Sequence, residues 1–272
     1  MLIDFLTAFL PLAYALVIYA YGRAFFSDAL WALRWKRSLL RVLLGLHAGY
    51  LLVRTVEFGH PPATNLFEIL TLIAFTTTAA YTVIESRTKQ HETGYFALLF
   101  SFFFQFVSSL FIEDLLEVKD ILRSNYFGLH VASALAGYSA ITLSAVYGFL
   151  YLMLYHQIKK SRFGVIYRKL PSLENLERMS VFAIFLGFVF LALAMVAGFI
   201  WLPQAFTNVS YADPKLVGTF FIWLVYGVAL VARRSSKWKG RRMMVVAIAG
   251  FAVSVFSMTA INLFFTDFHR FL

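Results

Sequence analysis

Stretches of about twenty apolar residues, the length that carries a helix across the hydrocarbon core of a bilayer, recur along the chain between short polar segments. They fall at roughly 5–23, 38–56, 65–84, 94–112, 128–155, 179–201, 215–232 and 242–264. Each must be a helix, because lipid offers backbone groups no hydrogen-bond partner and the two-residue alternation of a transmembrane barrel is missing. The pattern predicts an all-α, polytopic integral membrane protein with about eight transmembrane helices. With no Gly/Ser-rich linker or low-complexity tract, residues 1–272 read as a single transmembrane domain. The first apolar run starts at once and lacks a basic lead-in, which predicts an ordinary first helix rather than a cleavable leader.

Basic residues orient the helices, since their excess marks cytoplasmic loops. One side carries Arg23, Arg34, Lys36, Arg37 and Arg41, then Arg87 and Lys89, then Lys159, Lys160, Arg162, Arg168, Lys169 and Arg178. It also carries Arg233, Arg234, Lys237, Lys239, Arg241 and Arg242. These are nineteen of the 24 Lys and Arg; Arg54, Lys119, Arg123, Lys215 and Arg270 fall on the other side. Both termini are therefore expected on the outer side of a bacterial cytoplasmic membrane, in a multi-pass arrangement. The net charge of +10 follows from this loop bias and excludes no less than it explains: basic residues confined to short loops serve insertion, not nucleic-acid binding. A composition of 61% hydrophobic residues and a mean hydropathy of +0.75 exclude a soluble globule. The absence of cysteine removes disulfides, thiolate metal sites and covalent haem attachment.

Three extramembrane stretches stand out. Residues 113–127 are acidic (Glu113, Asp114, Glu117, Asp120) with Ile112, Leu115, Leu116 and Ile121 at helical spacing, which predicts an amphipathic surface helix. In the basic stretch 156–178, Pro171-Ser172 followed by Glu174 predicts a helix start with Ser172 as N-cap. The outer stretch 202–214 carries Pro203, Asp213 and Pro214 and has aromatic edges.

The six histidines sort by depth. His91 and His156 fall at cytoplasmic helix ends and read as solvated; His60, before Pro61-Pro62, reads as a turn or interface residue. His47 lies mid-membrane, where an imidazole is costly unless it faces the bundle. It has two readings, a functional ligand or a neutral histidine hydrogen-bonded to a neighbouring helix. His130 opens the fifth span among Ala132, Ala134, Ala136 and Gly137, small residues that let helices approach closely, with Tyr138 two turns further on. His269 sits just past the last span among Phe265, Phe268 and Phe271. The topology puts His130 and His269 on the outer side together. Two such imidazoles are the axial ligand set of a low-spin haem iron, and aromatic walls suit a porphyrin. Two unrelated histidines in an aromatic belt give the same pattern.

The segment WLPQAFTNVSYADPKLVGTFFIWLVYG, Trp201 to Gly227, resembles the tryptophan-rich haem-handling signature of the CcsA/CcmC cytochrome c assembly superfamily through Trp201, Asp213-Pro214-Lys215, Trp223 and Tyr226. The WKGRR run, Trp238 to Arg242, is similar to the loop that follows. FGLHVASALAGYSA, FLYLMLYHQIKK, YADPKLVGTF and the terminal FTDFHRFL resemble the HemX branch, as does HPPATNLFEIL with Glu68. The resemblance spans about four-fifths of the chain. It implies that His130 and His269 hold the iron of haem b beside the segment 201–227, which presents the haem to an acceptor. Where tryptophans are expected, this chain has Phe206, Ser210 and Ala212, so the presenting platform is thinned.

On that reading Phe206 and Tyr211 stack on or edge the porphyrin, and Lys215 or Arg270 pairs with its propionates. Asp213 either orients a ligating imidazole or caps the helix that Pro214 begins. His47 is a possible second, intramembrane ligand. Three functions remain open. One is haem handling in cytochrome c maturation, with a second membrane subunit or apocytochrome c as outer partner. Another is a HemX-like regulator or scaffold, whose basic loops engage a cytoplasmic tetrapyrrole-biosynthesis enzyme such as glutamyl-tRNA reductase. The last is a transporter or quinol redox subunit, for which Glu68 and His47 are a thin supply of deep titratable groups. No nucleophile or paired acid–base set points to a conventional enzyme.

Overall fold

The computed structural model describes residues 2–88, 91–113, 125–205, 214–234 and 238–261. Among them are nine α-helices: α1 (Leu2–Ser27), α2 (Leu30–Phe58), α3 (Leu66–Thr88), α4 (Gly94–Phe111), α5 (Asn125–Lys159), α6 (Val165–Lys169), α7 (Leu173–Ala205), α8 (Pro214–Ala232) and α9 (Arg241–Phe256), the last continued by one π-helical turn, Ser257–Ile261. The protein is all-α and polytopic. Seven helices are long and apolar enough to cross a membrane, namely α1 to α5, α7 and α9; the remaining predicted span, 215–232, coincides with α8, whose apolar stretch is shorter. Among the described residues, the short α6 in the basic stretch is the one helix that hydropathy does not announce.

Several helices overrun the apolar runs that predict them. α2 begins at Leu30 rather than near 38, and α7 at Leu173 rather than 179. LWALRWKRS contains no glycine or proline, so the backbone hydrogen bonds that start in lipid continue into the interface, where Arg34 and Arg37 are exposed and Lys36 is buried over the Tyr21 ring. Ser172 stands directly before α7, at the predicted cap position. α2 stops at Gly59, which takes the left-handed φ of 69° that closes a helix, ahead of Pro61-Pro62. Of the predicted surface helix at 113–127, residues 114–124 lie outside those described, and Asn125 to Phe127 belong to α5.

The helices divide into two compact units. The first comprises residues 1–62, 67–116 and 153–172, hence α1 to α4, α6 and the end of α5; within it α1 packs against α2 and α4. The second comprises residues 63–66, 117–152 and 173–272; within it α8 packs against α7 and α9. Every residue of α5 from Ser139 to Gly148 is buried, as expected for a helix apolar on all sides. Its contact with α7 is close because both faces are small. A Cβ on Gly137 would stand 2.9 Å from Leu191, and one on Gly187 would stand 2.9 Å from Ile141. Ser180 donates to the Ser144 carbonyl at 2.9 Å, clasping the two helices in a medium where polar groups have no water.

Candidate functional site

His130 lies in the second turn of α5, and α7 supplies its surroundings through a stripe at positions i, i+4 and i+7: Ala194, Gly198 and Trp201. The His130 Nδ1 lies 2.8 Å from the Ala194 carbonyl oxygen. A carbonyl only accepts, so Nδ1 carries the proton and the lone pair of the neutral ring resides on Nε2. Gly198 makes this bond possible, because a Cβ there would fall 2.9 Å from Nδ1 and 3.2 Å from Cε1. The Trp201 indole runs nearly parallel to the imidazole, at 14° and 6.5 Å between centroids. Phe127 packs on Trp201 at 5.0 Å, and Leu202, Val131 and Leu216 close the apolar cluster around them.

The arrangement leaves Nε2 as the nitrogen that could ligate a metal. Metal-ligating histidines commonly give their second ring N–H to a carbonyl or carboxylate, which fixes both the tautomer and the ring plane. The parallel, buried Trp201 adds a flat apolar wall beside the ring. The donor set and its aromatic flank fit one face of a haem.

Apart from His47, the other predicted site residues lie elsewhere in the second unit or outside the described residues. Tyr138 lies two turns beyond His130 on α5, and its carbonyl accepts from the Thr142 hydroxyl at 2.8 Å. Trp223 donates its Nε1–H to the Phe188 carbonyl at 3.1 Å and stacks on the Phe188 ring at 4.8 Å and 12°; its indole joins α8 to α7. Lys215 is in the first turn of α8, where only its backbone is described. Pro214 is the first residue of α8, so Asp213 directly precedes a helix. Phe206, Tyr211, Asp213, His269 and Arg270 lie outside the described residues.

His47 belongs to the first unit and is fully buried. Its Nδ1 is 3.0 Å from the Tyr14 hydroxyl and its Nε2 is 3.0 Å from the Thr71 hydroxyl. Thr71 in turn donates to Gln105 at 2.6 Å, and Tyr14 also meets Thr78 at 3.0 Å. The ring therefore ties α2 to α1, α3 and, through Thr71, α4, which is the hydrogen-bonded alternative among its two readings. Near one end of the same helices Arg54 donates to Glu68 at 3.1 Å, with both side chains 1% exposed. Near the other end Tyr21 donates to Glu85 at 2.6 Å. His91 is not simply solvated: its Nδ1 is 3.0 Å from Glu85, and Arg37 contacts the ring. Burial, and then the Arg37 guanidinium, hold the His91 imidazole below the ordinary histidine value, against the opposing pull of Glu85.

Sequence reasoning finds His130 and Trp201 but not Ala194, Gly198 or Phe127. The spacing of small residues at 194 and 198, one helical turn apart and followed by Trp201, carries the signal.

Comparison with known proteins supplies the affiliation. The profile of a family described as "Cytochrome C assembly protein" matches residues 63–269. The chain is 27% identical over 241 residues to the cytochrome c biogenesis protein CcsA of Chlamydomonas reinhardtii, covering 86% of this chain but 65% of that protein, just under two thirds. It is 26% identical to the CcsA of Guillardia theta, covering 80% of this chain and 79% of the relative. It is also 26% identical to that of Prochlorococcus marinus strain MIT 9301, over 92% of this chain and 87% of the relative. With the family profile running through most of its helices and across both His130 and Trp201, the chain belongs to the cytochrome c assembly protein family.

Proposed function

We propose that this protein handles haem for cytochrome c assembly, holding haem b at the outer face of a bacterial cytoplasmic membrane through the axial imidazoles of His130 and His269. The observation that carries this reading is the His130 Nδ1 bond to Ala194, which directs the Nε2 lone pair as a ligating histidine requires. Family membership supports the same role, as do the relatives named for cytochrome c biogenesis. Haem, when bound, would supply an iron for the two imidazoles to hold and a macrocycle suited to aromatic and cationic neighbours. Trp201 would brace the His130 imidazole it parallels, Phe206 and Tyr211 would stack on or edge the porphyrin, and Lys215 or Arg270 would pair with its propionates. Asp213 caps α8 or orients an imidazole. On this reading both termini face outward, and an apocytochrome c or a second membrane subunit approaches from that side.

A HemX-like regulatory role, acting on a tetrapyrrole-biosynthesis enzyme through the basic loops, is favoured by one observation. Phe206, Ser210 and Ala212 stand where the superfamily's platform is expected to carry tryptophan. The visible spectrum of the detergent-purified protein, oxidised and reduced, separates the two. A split low-spin spectrum that is lost on His130→Ala or His269→Ala, and retained on His91→Ala or His156→Ala, establishes the outer site. A wild type that stays colourless after haem is added removes the haem-handling role and leaves the regulator.

A further inference from the structure

At the end of the first unit that carries its basic residues, α2, α3 and the link between α3 and α4 form a half-open pocket of about 440 Å³ lined by Arg37, Leu40, Arg41, Thr82, Glu85, Ser86 and His91. That is within the range of about 300–1,000 Å³ typical of small-molecule sites. None of these residues takes part in the proposed haem site.

The charges around the pocket do not balance locally. Glu85, 4% exposed, lies within ion-pair distance of Arg37 and His91 and accepts from Tyr21. Lys36 lies over the Tyr21 ring, 5.3 Å from its centroid. Lys169 is paired with Asp28. Arg41 is left over: its Nε donates to the Arg37 carbonyl at 3.4 Å, and among the described residues no carboxylate is within ion-pair distance of it. Arg37 and Arg41 are four residues apart on α2, a spacing at which like charges repel. An anion placed between them offsets that repulsion.

The hydroxyls narrow the chemistry. Thr82 donates to the Thr78 carbonyl and Ser86 to the Thr82 carbonyl, each at 2.7 Å. Their hydrogens are committed, so what both present to the pocket is oxygen lone pairs, which accept from a ligand carrying hydroxyl donors. An anion alone satisfies the arginines, whereas a phosphodiester with a polyol satisfies both sets. Such a group is available beside a membrane helix at lipid headgroup level. Trp31 and Trp35 are 43% and 55% exposed on the first turns of α2, as in an interfacial aromatic belt. Val42 and Val83, adjacent in sequence to Arg41 and Thr82, are 58% and 59% exposed, giving acyl chains an apolar surface next to the charges. Basic pockets between membrane helices are suited to anionic headgroups.

We propose that this pocket binds the headgroup of an anionic phospholipid of the phosphatidylglycerol type, with Arg37 and Arg41 on the phosphodiester and Thr82 and Ser86 accepting from the headgroup hydroxyls. The site anchors the first unit to one leaflet and is independent of haem.

Native mass spectrometry of the full-length protein in mild detergent tests it. Dioleoyl phosphatidylglycerol, dioleoyl phosphatidylcholine and inorganic phosphate are added separately and in competition. The expected result is retention of phosphatidylglycerol over phosphatidylcholine, weakened about fivefold by Arg41→Gln and further by adding Arg37→Gln, and unchanged by Arg162→Gln, a basic-loop residue that does not line the pocket. Circular dichroism confirms that each variant is folded. Equal retention of the two lipids, or a loss with Arg162→Gln as large as that with Arg41→Gln, overturns the proposal. Displacement of the lipid by inorganic phosphate at millimolar concentration also overturns it, because the site then serves a free anion.

Discussion

The proton on His130 Nδ1 is held by one carbonyl on a neighbouring helix, and the space for that bond depends on the missing side chain of Gly198. Gly198→Ala forces the imidazole to shift and breaks its hold on Ala194. Loss of a partner that orients a metal ligand typically weakens binding by about 10- to 100-fold, and haem titration of the purified variant should show a loss of that order. Gly164→Ala is the control: a Cβ there meets nothing within 4 Å, so affinity should not change. His91 carries a second residue-level prediction. Because burial and Arg37 hold its imidazole below the ordinary value, the folded chain binds fewer protons than the unfolded chain near pH 6. The resulting stability is complete above the unfolded value, about 6.5, and is lost as pH falls through and below it. Thermal unfolding in detergent at pH 7.5 and pH 5 should show a small acid destabilisation that is diminished in His91→Gln. An undiminished acid loss in that variant assigns the effect to other groups. The imidazole is 22% exposed, and water screening through that opening keeps the effect small.

At the scale of elements, apolar runs locate the membrane helices, because lipid leaves no other backbone solution. Their ends are less readable, because hydropathy marks where the hydrocarbon stops and not where the helix does; the starts of α2 and α7 show this. The site was legible in the same proportion. His130 and Trp201 stand out as residue types at a membrane edge, whereas Ala194 and Gly198 gain meaning only once the register of α5 against α7 is known. Arg54 and Glu68 were likewise visible separately, one as an outer basic residue and the other as a lone deep carboxylate, but their pairing requires α2 packed on α3. That pair yields an element-level prediction. Arg54→Gln strands a buried carboxylate and should cost about 3–5 kcal/mol, while Arg54→Met combined with Glu68→Leu should recover most of it. Thermal unfolding of both variants checks this, and an unperturbed single variant contradicts a structural role for the pair.

For the whole molecule, the bias of Lys and Arg to one set of loops predicts that His130 and His269 share the outer side with both termini. The chain has no cysteine, so single substitutions report topology without background. Ser210→Cys should react with a membrane-impermeant thiol reagent in intact cells, and Ser161→Cys only after permeabilisation. The reverse pattern inverts the protein and puts the haem site on the wrong face for an outer acceptor. The central claim, that His130 ligates haem iron, is tested most directly by the haem content and reduced absorption spectrum of the His130→Ala protein with and without added imidazole. The account predicts that the low-spin spectrum disappears in the variant and returns when imidazole fills the vacated position. An unchanged spectrum in His130→Ala without imidazole would contradict it.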